Sequence, residues 1–191
     1  MKFDRIYHSL RLLLCGNPVK RAQYLKKHDI LGGIGDNCKW GPWKLPPYPK
    51  LIKLHNNVFV HHNAHMAPHD VLNRFFYTVY PNDDFGHWEK LGCIELMDNV
   101  YISTRVIIMM NVRINKNCII SAGSVVTSDI PENSIASGIP AKPIGCFDMF
   151  AALRRMSKGQ TKPFKNQELS DEMVISEWKR FYLKHGSSKD N

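Results

Sequence analysis

No stretch of this chain approaches the roughly 18–20 uninterrupted apolar residues that a membrane span needs. The longest early run, Leu12-Leu13-Leu14, is too short, and His8 and Arg11 interrupt its approach too closely, for a secretory core. The expected location is therefore cytoplasmic. Cysteine is sparse and irregular: five residues, at 15, 38, 93, 118 and 146, with no CxxC pair. That pattern excludes a disulfide framework and a zinc-ribbon site, and it reads as inert thiols in a reducing compartment. No Gly-rich phosphate loop or dinucleotide fingerprint occurs. No nucleic-acid motif and no densely basic helix occurs either, so nucleic acid is not an expected partner.

What is present is an ordinary soluble composition, 43% hydrophobic and 23% charged in 191 residues. The net charge of +9 is unevenly placed. Residues 1–53 hold 11 Lys/Arg against 3 Asp/Glu, residues 54–148 hold 6 against 9, and residues 149–191 hold 9 against 5. The excess lies in the flanks and suits anionic small molecules, acidic glycans or a membrane surface.

The central segment carries a period of six. Leu96, Ile102, Ile108, Ile114, Ile120 and Val126 are all aliphatic. A second, smaller series follows four residues after each: Val100, Val106, Val112, Cys118, Ser124 and Ile130. Neither the 3.6 period of a helix nor the 2.0 period of a plain strand produces this. A coil with short flat sides and a corner every sixth residue does, each coil covering the next. Leu54, Val58, Val60, Ala64 and Met66 continue the rule backwards, and residues 34–40 form a less regular first coil. The register breaks between about 67 and 93, where His69, Asp70, Phe75, Phe76, Tyr77, Tyr80 and Trp88 lie. A long aromatic insertion in a compact repeat is a candidate functional loop.

The flanks read as helical. Phe3, Ile6, Leu10, Leu13 and Leu14 share one helical face. Asn17-Pro18 caps and opens a second helix running to about His28. Met149–Met156 suits a short helix, and Ser170 caps a last one, striped by Val174, Trp178, Phe181 and Tyr182 and ending near Gly186. The expected organisation is a helical segment over 1–32, a coiled domain over 33–145 with its loop at 67–93, and a helical extension over 146–191. The helices are expected to pack on the coil; a second reading lays the first on a membrane surface.

The block from Asp98-Asn99-Val100-Tyr101-Ile102 through Asn117–Pro131, closing with Gly138-Ile139-Pro140-Ala141-Lys142, resembles the hexapeptide-repeat acetyltransferases. The likeness is to the maltose/galactoside, xenobiotic and capsule-biosynthesis types. It implies a mainly β fold, a left-handed parallel β-helix with terminal helices and one inserted loop. It also implies a homotrimer, with acetyl-CoA as co-substrate between subunits and no metal. The family often places glycine after the repeat aliphatic. Here Met97, Ser103, Met109, Asn115 and Ser121 stand there, so less ideal corners are expected.

Acyl transfer to a hydroxyl needs a base, donors for the oxyanion and a groove for CoA. His69-Asp70 resembles the His-Asp pair opening the inserted loop of the capsule-type members, where the histidine is the base. Asp70 is a candidate to orient the imidazole; its other reading is a loop cap. His87 and Trp88 are candidates for contact with the acceptor, a sugar, nucleotide-sugar or glycan precursor. Phe76, Tyr77 and Trp88 alternatively form the loop's own small core. The resemblance assigns Thr104, Ser121, Ala122, Gly123, Thr127 and Ser128 to the CoA groove and Lys142 to the nucleotide phosphates. Three other functions remain open: N-acetylation of an amino sugar, a γ-carbonic-anhydrase-like metal enzyme using the cluster His61, His62, His65 and His69, and a non-catalytic binding module.

Overall fold

The computed structural model describes residues 2–86, 88–156 and 169–186. The chain divides into two units, Met1–Leu153 and Arg154–Asn191. In the first, short strands build three stacked sheets. One holds Gly33–Ile34, Ile52–Leu54, Ile94–Leu96 and Val112–Ile114. The second holds Lys39–Trp40, Phe59–Val60, Val100–Ile102, Cys118–Ile120 and Ser134–Gly138, closed by the antiparallel strand Ala141–Cys146. The third holds His65–Ala67, Ile107–Met109 and Val125–Val126. The chain visits the sheets in turn and returns beside the strand it left, in parallel. That path is a β-helix of three-sided coils.

The sixfold spacing follows from this geometry. Leu96 pairs with Ile114, Ile102 with Ile120 and Ile108 with Val126, each one coil of three six-residue sides apart. All six members of the first series are 0% exposed. Val100, Val106, Val112, Cys118 and Ser124 lie at 0–2%, so both series fill one narrow core. Each buried aliphatic contributes about 1.5–3 kcal/mol through removal from water. Along the second sheet the core column runs Trp40, Val60, Ile102, Ile120 and Ala136, with its largest side chain at the first coil and its smallest at the last. One register assignment is corrected. Ile130 bridges Ile114, so it continues the first series and not the second. The turn Thr127-Ser128-Asp129 shortens that coil by two residues.

The expectation of imperfect corners is also overturned. The left-handed φ values fall not after the repeat aliphatic but later in each corner, at Asn57, Asn99, Arg105, Asn111, Asn117, Gly123 and Asn133. Residues 97, 103, 109, 115 and 121 are not in that region, so glycine has no conformational advantage there. Asparagine tolerates it best among residues with a side chain. The asparagines of one corner also join hands. Asn37 Nδ2 donates to Asn57 Oδ1 at 3.2 Å, Asn57 to Asn99 at 2.8 Å and Asn99 to Asn117 at 2.8 Å. Asn99→Ala loses two ladder bonds and puts alanine at φ 61°. The expected destabilisation is roughly 1–3 kcal/mol, read as a lower denaturant midpoint at constant slope. Asn99→Gly recovers the backbone part only. An unchanged midpoint in the alanine variant excludes a structural role for the ladder.

The first sheet's outer face is charged. Glu95 accepts from Arg113 Nε at 2.8 Å, and its other oxygen lies 2.9 Å from His55 Nε2. The His55 hydrogen bond and then the Arg113 guanidinium hold the Glu95 carboxyl below its usual range, against the opposing effect of its partial burial. Burial pushes the Cys38 and Cys118 thiols up, and each points at a backbone carbonyl, of His55 and Pro131 respectively. All five cysteines are free.

Two helices precede the coil, α1 (Lys2–Leu14) and α2 (Pro18–Lys27). Asn17 caps α2 by accepting from Lys20 N. The apolar stripe of α1 is not its packed face. Ile6, Leu10, Leu13 and Leu14 are 48–76% exposed, whereas Leu12 is fully buried and Ser9 nearly so. Polar bonds set this orientation. Ser9 Oγ accepts from Leu45 N at 3.1 Å, and Arg21 donates to Leu12 O at 2.8 Å. Within the insertion lies α3 (Leu72–Val79), and α4 (Phe147–Met156) follows the last strand. The second unit contains α5 (Asp171–His185), capped by Ser170 and by Gly186 at φ 67°. Trp178 stacks on Tyr182 along it. No described helix is long and apolar enough to cross a membrane.

Candidate active site

The insertion leaves the third sheet at Ala67 and rejoins the first at Ile94. A two-residue ribbon closes its neck: His69 pairs with Leu91 and Asp70 with Lys90, antiparallel. The loop therefore has a fixed base. Beyond it, Phe76 packs on Phe75 and Phe85, and Tyr80 on Phe85. These rings meet on the loop's surface, where Phe75 and Tyr80 are half or more exposed. Trp88 is 66% exposed. His87 lies outside the described residues.

His69 is half-buried at that neck. Its Nδ1 is shielded from solvent and has no hydrogen-bond partner among the described residues. Such an atom costs about 1–3 kcal/mol until something partners it. Tyr48, from the first coil, meets the His69 ring edge-on at 5.4 Å. Tyr48 Oη donates to Glu89 Oε2 at 2.5 Å, and Arg74 of α3 donates to Glu89 Oε1 at 3.1 Å. The Glu89 hydrogen bond pushes the Tyr48 phenol up. Tyr48, Arg74 and Glu89 escape sequence reading because 41 and 15 residues separate the bonded pairs, and no local pattern marks them.

Asp70 does not meet the imidazole. Neighbouring residues of a strand point to opposite faces, and Asp70 Oδ1 accepts from Leu72 N at 3.2 Å, at the start of α3. Its observed contact is that of a loop cap. The histidine cluster likewise does not converge. Among the described residues no group of three His, Cys, Asp or Glu side chains is placed to hold a metal ion. The rings of His61 and His62 instead lie 4.2 Å apart, tilted by 44°, and burial followed by the His62 charge lowers the His61 pKa.

The groove candidates mostly share one corner. Gly123 N donates to Thr104 O at 3.0 Å, stacking the Ala122 corner on the Thr104 corner. No backbone acceptor takes the Ala122 N–H among the described residues, and Ala122 is exposed. His61 N donates to Ile102 O, Ser103 N to Ile120 O and Ser121 N to Ala136 O, so the column runs down to His62. Upward, Ser137 pairs with Lys142, whose side chain is exposed. Thr127 and Ser128 lie elsewhere, beyond the far end of the third sheet. His69 is also at that far end. Thr104 and Asn111, one coil above His69, are seven positions apart, at most about 23 Å at about 3.3 Å per residue. A single chain thus holds the histidine and the amide column on different corners.

No protein-family model matches the chain. Over 51 residues it is 51% identical to a protein of Schizosaccharomyces pombe named as an acetyltransferase, covering 27% of this chain and 25% of that one. It is 35% identical over 140 residues to the galactoside O-acetyltransferase of Lactococcus lactis, covering 64% of this chain and 66% of that one. The chain thus spans less than two thirds of the length of each of these relatives. In fold it is similar to a maltose O-acetyltransferase from Clostridium difficile 630, with a TM-score of 0.50, 24% identity, and 74% and 85% of the two chains covered. Coiled fold, sixfold repeat and relatives agree: in sequence the chain is similar to proteins named as acetyltransferases, and its fold is like that of the solved maltose O-acetyltransferase.

Proposed function

We propose that this protein is a cytoplasmic O-acetyltransferase that moves acetyl from acetyl-CoA to a hydroxyl of a sugar, nucleotide-sugar or glycan precursor. The observation that carries this reading is the place of His69 at the neck of a braced loop, with Tyr48 edge-on to its ring. With Nδ1 turned inward, Nε2 is the nitrogen suited to take the acceptor's hydroxyl proton. Tyr48, Glu89 and Arg74 hold the ring's surroundings, and Asp70 anchors the loop without touching the base.

The corner column supplies the other half. The free Ala122 amide suits the thioester end, with Thr104, Ser121 and Gly123 along the arm and Lys142 on the nucleotide phosphates. From the Ala122 corner to Lys142 there are two inter-strand steps, about 10 Å at about 4.8 Å each. His69 and this column stand on different corners, so a complete site takes two copies. A left-handed coil assembled as a homotrimer provides three such pairings. Thr127 and Ser128 then belong to the same side of the cleft as His69.

The test is release of free CoA thiol from acetyl-CoA with a panel of sugars, their amino analogues and nucleotide-sugars. Hydroxyl acceptors are expected to drive release and to gain an ester. A product acetylated only on nitrogen replaces this reading with the amino-sugar one. Absence of thiol release with every acceptor rejects it.

A further inference from the structure

Along the third side of the first coil lies a cavity of about 440 Å³, within the roughly 300–1,000 Å³ usual for small-molecule sites. It runs from the His62 corner past His65 and Met66 to Pro47. The next residue, Tyr48, touches the His69 ring. The cavity wall thus continues along the chain into the residue that meets the proposed base. Its floor includes the buried Trp40, and Trp43 presents a ring that is 46% exposed. Its charge has one sign. Arg5, Lys44, His62 and His65 line it, and none of its described lining residues is acidic. Neither Arg5 nor Lys44 has a carboxylate partner among the described residues.

We propose that this cavity binds an anionic saccharide, one carrying a carboxylate or a phosphate, as the acceptor of the His69 reaction. The proposal rests on the acyl-transfer reading for that role. An exposed indole beside a concave wall suits a sugar ring, whose axial C–H groups meet the π face. A planar guanidinium and an ammonium at the rim suit an anion, Arg5 by two parallel bonds and Lys44 as a point charge. The CoA phosphates are not the natural occupant. Lys142, proposed to meet them, stands at the opposite end of the corner column.

Titration calorimetry of the full-length protein with glucose, glucuronate and glucose 1-phosphate tests this without requiring turnover. One or both charged sugars should bind at least about tenfold more tightly than glucose, the scale of a charge-assisted bond. Which one does so distinguishes carboxylate from phosphate recognition. Arg5→Gln with Lys44→Gln should abolish the preference, and Trp43→Ala should weaken charged and neutral sugars alike. If the double variant is misfolded by circular dichroism, Arg5→Lys replaces it and should lose part of the preference. Raising the salt concentration should shrink the preference in the wild type. Equal binding of all three sugars overturns the proposal, as does a preference that survives the double substitution. Competition of CoA with the charged sugar also overturns it, by giving the cavity to the nucleotide. Charged-sugar binding without any acetyl-CoA cleavage keeps the site and rejects the acceptor role together with the acyl-transfer reading.

Discussion

His69→Ala lowers acetyl-CoA-dependent turnover by at least ~100-fold, the lower end for loss of a positioned base. The fold should survive, because the ring is only half-buried and lies outside the coil's core. The neck ribbon is held by backbone pairing to Leu91 and Lys90. Near-wild-type turnover eliminates His69 as the base. Tyr48→Phe provides the contrast. It removes the bond to Glu89 and keeps the ring against His69, so its effect should be far smaller than that of His69→Ala.

Mixing two dead variants restores activity. Ala122→Trp covers the unpartnered Ala122 amide at an exposed corner, so the proposed homotrimer should still form and be inactive. Co-expressed in equal amounts with His69→Ala, it forms mixed trimers. Each interface then combines an intact His69 from one copy with an intact Ala122 from its neighbour about a quarter of the time, so about a quarter of wild-type activity returns. The reason is geometric: the two groups lie at opposite ends of the third sheet in one chain. Recovery no greater than the sum of the parents means that the site is complete within one chain, and the shared cleft is then rejected.

Much of the coil is legible in the sequence because burial along it is strictly periodic. Leu96 through Val126 each face the axis for one reason, that a six-residue side returns every sixth side chain inward. The departures come where a local exception changes the count. The turn after Val126 drops two residues, so Ile130 joins the other series. The asparagine corners were partly visible as turn residues, but their ladder appears only once coils stack Asn57 on Asn99 and Asn99 on Asn117. The α1 stripe misleads for a different reason. Its hydrophobic periodicity is real, yet the face that turns inward is the one where Leu12 enters the core and Ser9 accepts from Leu45 N.

By itself, the sequence determined the coil, the place of its interruption and the likeness to acetyltransferases, since each is written as a spacing or a contiguous motif. Only the tertiary structure decided which groups meet. It brought Tyr48, Arg74 and Glu89 around His69 and turned Asp70 to Leu72. It also gathered Arg5, Trp43 and Lys44 around the cavity beside His62. Those contacts join segments far apart in the chain, and a repeat specifies neighbours one coil away but not what a loop or a flanking helix folds back to touch.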